Sequence, residues 1–220
     1  MHSSGDDNGI VADSAWAYAA LTNNKTSDFH ALLYGHMATY SSRGTFHATE
    51  QLQIESDGDA YRHYSPTYKG DVSLCVPTAV EVARLTRWQL VFEPARSDNG
   101  YRQIWLARGA PRRWFRDPAG FGVGENTRYF PLSSGGALGY KVSTVPATQS
   151  ATFHVTVRGN ARLEGTRFVL RWPGRLREHS ANSSACTVVQ VEASSGLVAV
   201  TPDGGGQSWV AKFSVSGRWE

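Results

Sequence analysis

Arg43-Gly-Thr-Phe-His47-Ala-Thr-Glu50-Gln51 is the stretch whose side chains best suit chemistry. His47 and Glu50 are three residues apart, Arg43 lies just upstream, and Gly44 lets the backbone turn sharply between them. In glycoside cleavage a protonated carboxyl group donates to the leaving oxygen while a second carboxylate serves as base or nucleophile. Glu50 is the candidate acid. Asp59, with Asp57 and Asp71 on the adjoining stretch, is the candidate partner, and His47 completes the catalytic set. Tyr61, His63, Tyr64 and Tyr68 interleave with those acids, and aromatic rings beside carboxylates suit a sugar-binding wall. Arg43 and Tyr64 are accordingly candidate ligand-binding residues. The competing reading pairs Glu50 with Arg43 and leaves the loop acids solvated.

A second concentration is Arg108, Arg112, Arg113 and Arg116, interleaved with Trp114 and Phe115. Arg113 and Trp114 can meet an anionic polysaccharide by charge-assisted hydrogen bonds and stacking. Trp114 can equally anchor its loop, and the arginines can hold the acidic first half of the chain. Trp172, before Pro173, reads as a loop-edge residue able to stack on a sugar, whereas Trp16, Trp88 and Trp105 read as core. His30 and His36 are six apart, unlike the i, i+4 spacing of a helical zinc pair, and His47 with Glu50 has no matching second pair. No metal and no cofactor are expected. Gly120-Phe-Gly-Val-Gly124 and Asp203-Gly-Gly-Gly206 read as turns, not phosphate loops, and no Gly-x-Ser-x-Gly is present.

The elements that must position these residues differ between the two halves. Residues 14–93 read as helical: Ser14 to Leu21 with Ser14 as N-cap, Phe29 to Tyr40 capped by Asp28, and a third helix entered at Pro77-Thr78. Thr78 and Glu81 have capping-box spacing, and Val80, Ala83, Arg84, Arg87, Trp88 and Val91 form the expected stripe. Residues 1–13 read as a flexible N-terminus and 56–75 as an irregular loop. From residue 94 to 220 the period changes to two. Segments 103–107, 138–145, 152–157, 166–172, 187–191, 197–200 and 208–215 are β-rich and separated by Gly, Pro, Asn or Ser. The fold class is α+β: an N-terminal helical segment followed by an antiparallel β-sandwich.

Composition bounds the rest. At 40% hydrophobic and 19% charged residues, the chain is globular in type. It holds no apolar run of the ~18 residues that a membrane helix needs, so no membrane partner is expected. Residues 1–100 carry twelve acids and seven bases, net −5, whereas residues 101–220 carry seven acids and fifteen bases, net +8. The bases are 18 Arg against 4 Lys, scattered singly along the strands, which argues against nucleic acid. Cys75 and Cys186 are too few for a disulfide framework, and compartment stays open. Asn24-Lys-Thr and Asn182-Ser-Ser match glycosylation sequons.

Three segments together carry a family likeness: His30–Gln51 (HALLYGHMATYSSRGTFHATEQ), Val76–Glu93 (VPTAVEVARLTRWQLVFE) and Ile104–Phe115 (IWLARGAPRRWF). With Gly124–Phe130 (GENTRYF) and the trailing strands, the order resembles the C-terminal region of bacterial (α/α)6-barrel, or six-hairpin, glycoside-hydrolase-like proteins. The resemblance implies the last barrel helices plus a closing β-sandwich, and a carbohydrate as partner. A barrel of that kind needs all six hairpins, whereas this chain offers about three helices, so the resemblance also implies a missing barrel portion or a second chain. A non-catalytic module binding glycans or proteins, or a purely structural one, remains the alternative.

Overall fold

In the computed structural model, residues 10–40, 76–95, 100–123, 129–181, 186–203 and 209–219 are described. The chain divides into two compact units, Met1–Arg87 and Trp88–Glu220. In the first unit, helices α1 (Ile10–Thr22) and α2 (Thr26–Tyr40) pack against each other. Their junction is a Schellman motif. Asn24 takes the left-handed conformation at φ 59°, its amide donates to the Leu21 carbonyl at 3.2 Å, and the Lys25 amide donates to the Ala20 carbonyl at 2.8 Å. The Phe29 amide then donates to the Lys25 carbonyl, so α2 opens at Lys25 and Asp28 sits inside its first turn, not at the cap. Helix α1 likewise starts ahead of Ser14, because nothing in Ile10–Asp13 breaks a helix and Ser costs little in its interior.

The buried stripes correct two expectations. In α1, Ala17, Ala20 and Leu21 are buried, whereas Trp16, one position off that stripe, is 66% exposed and is not core. In α2, Phe29, Leu33 and His36 are buried and Met37 is turned outward. Helix α3 (Val76–Leu90) buries Glu81, Leu85 and Gln89, an i, i+4, i+8 row centred on Leu85, and leaves Val80 51% exposed. The Glu81 carboxylate meets Arg84 Nε at 3.3 Å and, with the helix already begun at Val76, Thr78 lies within the first turn.

The second unit contains two sheets of mostly antiparallel strands. The first is built from β1 (Val91–Phe92), β2 (Arg102–Leu106), β7 (Thr166–Arg171), β9 (Cys186–Glu192) and β10 (Leu197–Pro202), in the order β1-β2-β7-β10-β9. Its β2–β7 pair is parallel. The second comprises β3 (Phe121–Val123), β5 (Ala137–Val145), β6 (Ser150–Arg158), β8 (Gly174–Ala181) and β11 (Trp209–Trp219), in the order β3-β5-β6-β11-β8, with β4 (Phe130–Pro131) pairing β5. All seven expected strands are present within a few residues of their expected ends. Strand β8, Gly-Arg-Leu-Arg-Glu-His-Ser-Ala, escaped notice because it carries almost no apolar signal. Phe121–Val123 is a strand, not the expected turn, because Gly122 admits the close approach of the Tyr140 carbonyl.

Alternate residues of both sheets enter one core: Ile104, Leu106, Phe168 and Leu170 from the first sheet, and Tyr140, Val142, Phe153 and Phe213 from the second. Trp172 belongs to this core at 1% exposure, its ring 5.9 Å from Phe115, so the expected loop-edge platform is instead an internal residue. Its backbone amide donates to the Gly196 carbonyl at 2.7 Å, which fixes the chain as it leaves β7.

Candidate functional site

Of the residues singled out for chemistry, Arg43, His47, Glu50, Asp59 and Tyr64 lie outside the described residues, as do Asp57 and Asp71. Arg113 and Trp114 lie on a short 3-10 helix, Arg112–Arg116. Arg113 is exposed, while Trp114 is half-buried against the core with its ring 5.5 Å from Phe121. That is the geometry of an anchor. The expected basic cluster divides, since Arg108 is buried at 2% exposure and Arg112, Arg113 and Arg116 face solvent.

The second unit contains an open cleft of about 500 Å³ lined by Glu93, Arg102, Ser133, Glu164 and neighbouring backbone. Four segments converge there. Glu93 follows β1, Arg102 opens β2, and Glu164 and Gly165 lead into β7. The Arg102 amide donates to the Gly165 carbonyl at 2.8 Å, and its guanidinium donates to the Arg162 carbonyl at 3.2 Å, tying two of those segments together. Ser133, from the turn between β4 and β5, donates to Glu93 Oε2 through both its amide (3.1 Å) and its hydroxyl (2.6 Å). These are charge-assisted bonds that hold the carboxylate in one orientation. The wall thus offers two carboxylates as acceptors and a guanidinium as donor, a set suited to a ligand rich in hydroxyl groups. Sequence reasoning missed this set because Glu93 and Ser133 are forty residues apart and no local motif links them.

The face of the first sheet turned away from the core carries a different arrangement. Tyr101, just ahead of β2, and Gln103 and Trp105 on it alternate with core residues, as Arg167, Val169 and Arg171 do on β7. The Arg167 guanidinium lies 3.8 Å from the Tyr101 ring centroid, and that of Arg108 lies 3.9 Å from Trp105. Trp105 Nε1 donates to Gln103 Oε1 at 2.9 Å. Burial, with the nearby Arg171 charge adding to it and Glu192 opposing, lowers the Arg108 pKa to about 9. Burial and Arg112 lower that of Arg171 to about 10. Both stay cationic at neutral pH. The backbone around Arg108 is held at the end of α3, where the Ala107 and Gly109 amides donate to the Leu90 and Gln89 carbonyls at 2.8 and 3.1 Å.

Among the described residues no group of three or more His, Cys, Asp or Glu is arranged to hold a metal ion, and no helix is long and apolar enough to cross a membrane. No family model matches the chain, and a comparison with curated proteins finds no match.

Proposed function

We propose that this chain is the C-terminal part of a carbohydrate-active, glycoside-hydrolase-like protein, and that its second unit is a β-sandwich binding a poly- or oligosaccharide in the Glu93–Arg102–Ser133–Glu164 cleft. The sandwich reading is supported by the two sheets contributing alternate residues to one core. The binding reading rests on one observation above all, the Glu93 carboxylate held by two Ser133 donors on the wall of an open polar cleft. A preoriented carboxylate meets a sugar hydroxyl without first losing side-chain freedom. Tyr101, between the lining residues Gly100 and Arg102, is 37% exposed and adds an aromatic ring at that edge of the sheet.

The test is retention of the full chain on a panel of neutral and acidic polysaccharides. Glu93→Gln and Ser133→Ala are each expected to weaken retention about ten-fold, the effect of losing one charge-assisted hydrogen bond. Retention by no polysaccharide, or retention untouched by both substitutions, overturns the reading.

A hydrolytic role is a second reading, favoured by the presence of two carboxylates, Glu93 and Glu164, on one cleft. It predicts release of reducing ends. Loss of release in Glu93→Gln or Glu164→Gln places the chemistry in this cleft, whereas loss in Glu50→Gln alone places it with Glu50, His47 and Asp59. Binding without release leaves the chain a binding module.

A further inference from the structure

We propose that the solvent face of the sheet β3-β5-β6-β11-β8 is a second binding surface, for an acidic polysaccharide carrying carboxylate or sulfate groups. The strand register aligns Lys141, His154 and Lys212 in one row across β5, β6 and β11. Their neighbours in sequence, Tyr140, Val142, Phe153, Val155, Ala211 and Phe213, belong to the core, so the three side chains stand together on the opposite face. Two of the chain's four lysines thus flank a histidine, with one strand between them and about 10 Å from first backbone to last. The same face continues with Arg158 on β6 and the directly opposed pair Arg218 and Arg175 on β11 and β8. Glu178, opposite Ser216, is the one acid among the paired, described positions of this face.

The chemistry beside the row favours a polysaccharide over nucleic acid. The next row is Ser143, Thr152 and Ser214, a line of hydroxyl groups across three strands, with Thr152 Oγ1 and Ser214 Oγ 3.0 Å apart. Hydroxyls beside cations match a ligand in which hydroxyl and anionic groups alternate. Strands β5, β6 and β11 present no Phe, Tyr or Trp on this face to stack a base, and the Tyr129 ring beside it is engaged by the Arg158 guanidinium at 4.5 Å. None of Lys141, His154 and Lys212 lines the Glu93 cleft, so the two can be tested separately.

The experiment measures binding of the full chain to immobilised dextran sulfate and polygalacturonate, with uncharged dextran and duplex DNA as comparisons. The wild-type chain should bind both acidic polymers at low salt, release them as salt screens the charges, and ignore dextran. Lys141→Gln with Lys212→Gln should weaken binding about ten-fold or more, from the loss of two surface charge contacts. Lys25→Gln with Arg162→Gln, which removes equal charge from exposed positions off this sheet, should leave binding within two-fold of wild type. Equal losses in both double variants overturn the proposal, because attraction then follows net charge and not this face. So does tighter binding to duplex DNA than to either acidic polysaccharide.

Discussion

Tyr140 shows how a single buried polar atom sets a pH limit. Its ring is inside the core at 3% exposure, and its hydroxyl donates to the Leu90 carbonyl at 2.9 Å. Burial, opposed by the Ala107 amide, pushes its pKa far above the ordinary tyrosine value. The folded state therefore keeps this proton at pH values where the unfolded chain releases it. The resulting stability is complete below the unfolded value of about 10 and is lost progressively as pH rises above it. Tyr140→Phe should cost about 1 kcal/mol at pH 7, since the Leu90 carbonyl retains the Ala107 amide as partner, and should flatten the loss of stability above pH 10. Urea titrations at a series of alkaline pH values check both parts. Arg108 makes the complementary case, because its guanidinium is buried flat against Trp105. Arg108→Lys keeps the charge but loses the planar contact and should lower stability by about 1 kcal/mol. An unchanged denaturation midpoint would falsify the stacking role.

At the scale of elements, joints matter more than strand interiors. The return from β7 to β8 passes Trp172, whose indole leaves no room beside Gly217 on β11. A methyl group added there would overlap both Trp172 Nε1 and the Arg175 carbonyl. Gly217→Ala should therefore destabilise the second unit by about 3 kcal/mol, at the upper end of overpacking costs, with a matching fall in thermal midpoint. The α1–α2 joint is milder. Asn24 tolerates its left-handed backbone better than most residues, so Asn24→Ala should cost about 1 kcal/mol and Asn24→Gly almost nothing, as read by loss of helical circular dichroism on heating.

On the scale of the whole molecule, the two units differ in what holds them. Every member of the large core cluster falls between Val91 and Val215, inside the second unit. Residues 88–220 alone should accordingly fold with strand-type circular dichroism and one cooperative melt, whereas helices of thirteen to fifteen residues are marginal by themselves in water. A broad, non-cooperative melt of that fragment would show that it needs residues 1–87. The charge division of the chain takes a physical form here too. Of the fifteen bases after residue 100, Arg108, Arg167 and Arg171 lie in the arginine–aromatic face of one sheet, and Lys141 and Lys212 in the row on the other.

The sequence by itself determined the kind of element along most of the second unit. Alternation in Ala151–Val157 and Arg167–Leu170 reflects a local requirement, one face buried and one solvated, and period two records it directly. It also placed the three described helices, though not their buried stripes. Trp16 and Val80 look apolar enough to be core, and only the packing of Ala17, Ala20 and Leu21 in α1, and the row through Leu85 in α3, decides that they are not. Tertiary structure alone decided the candidate site. Glu93, Ser133 and Glu164 meet because the β1–β2 hairpin, the turn before β5 and the parallel β2–β7 pair bring distant segments to one rim. Such contacts leave no period or spacing in the chain. The Lys141–His154–Lys212 row was hidden for the same reason, since cross-strand register is set by turns and core packing and not by any residue in the row.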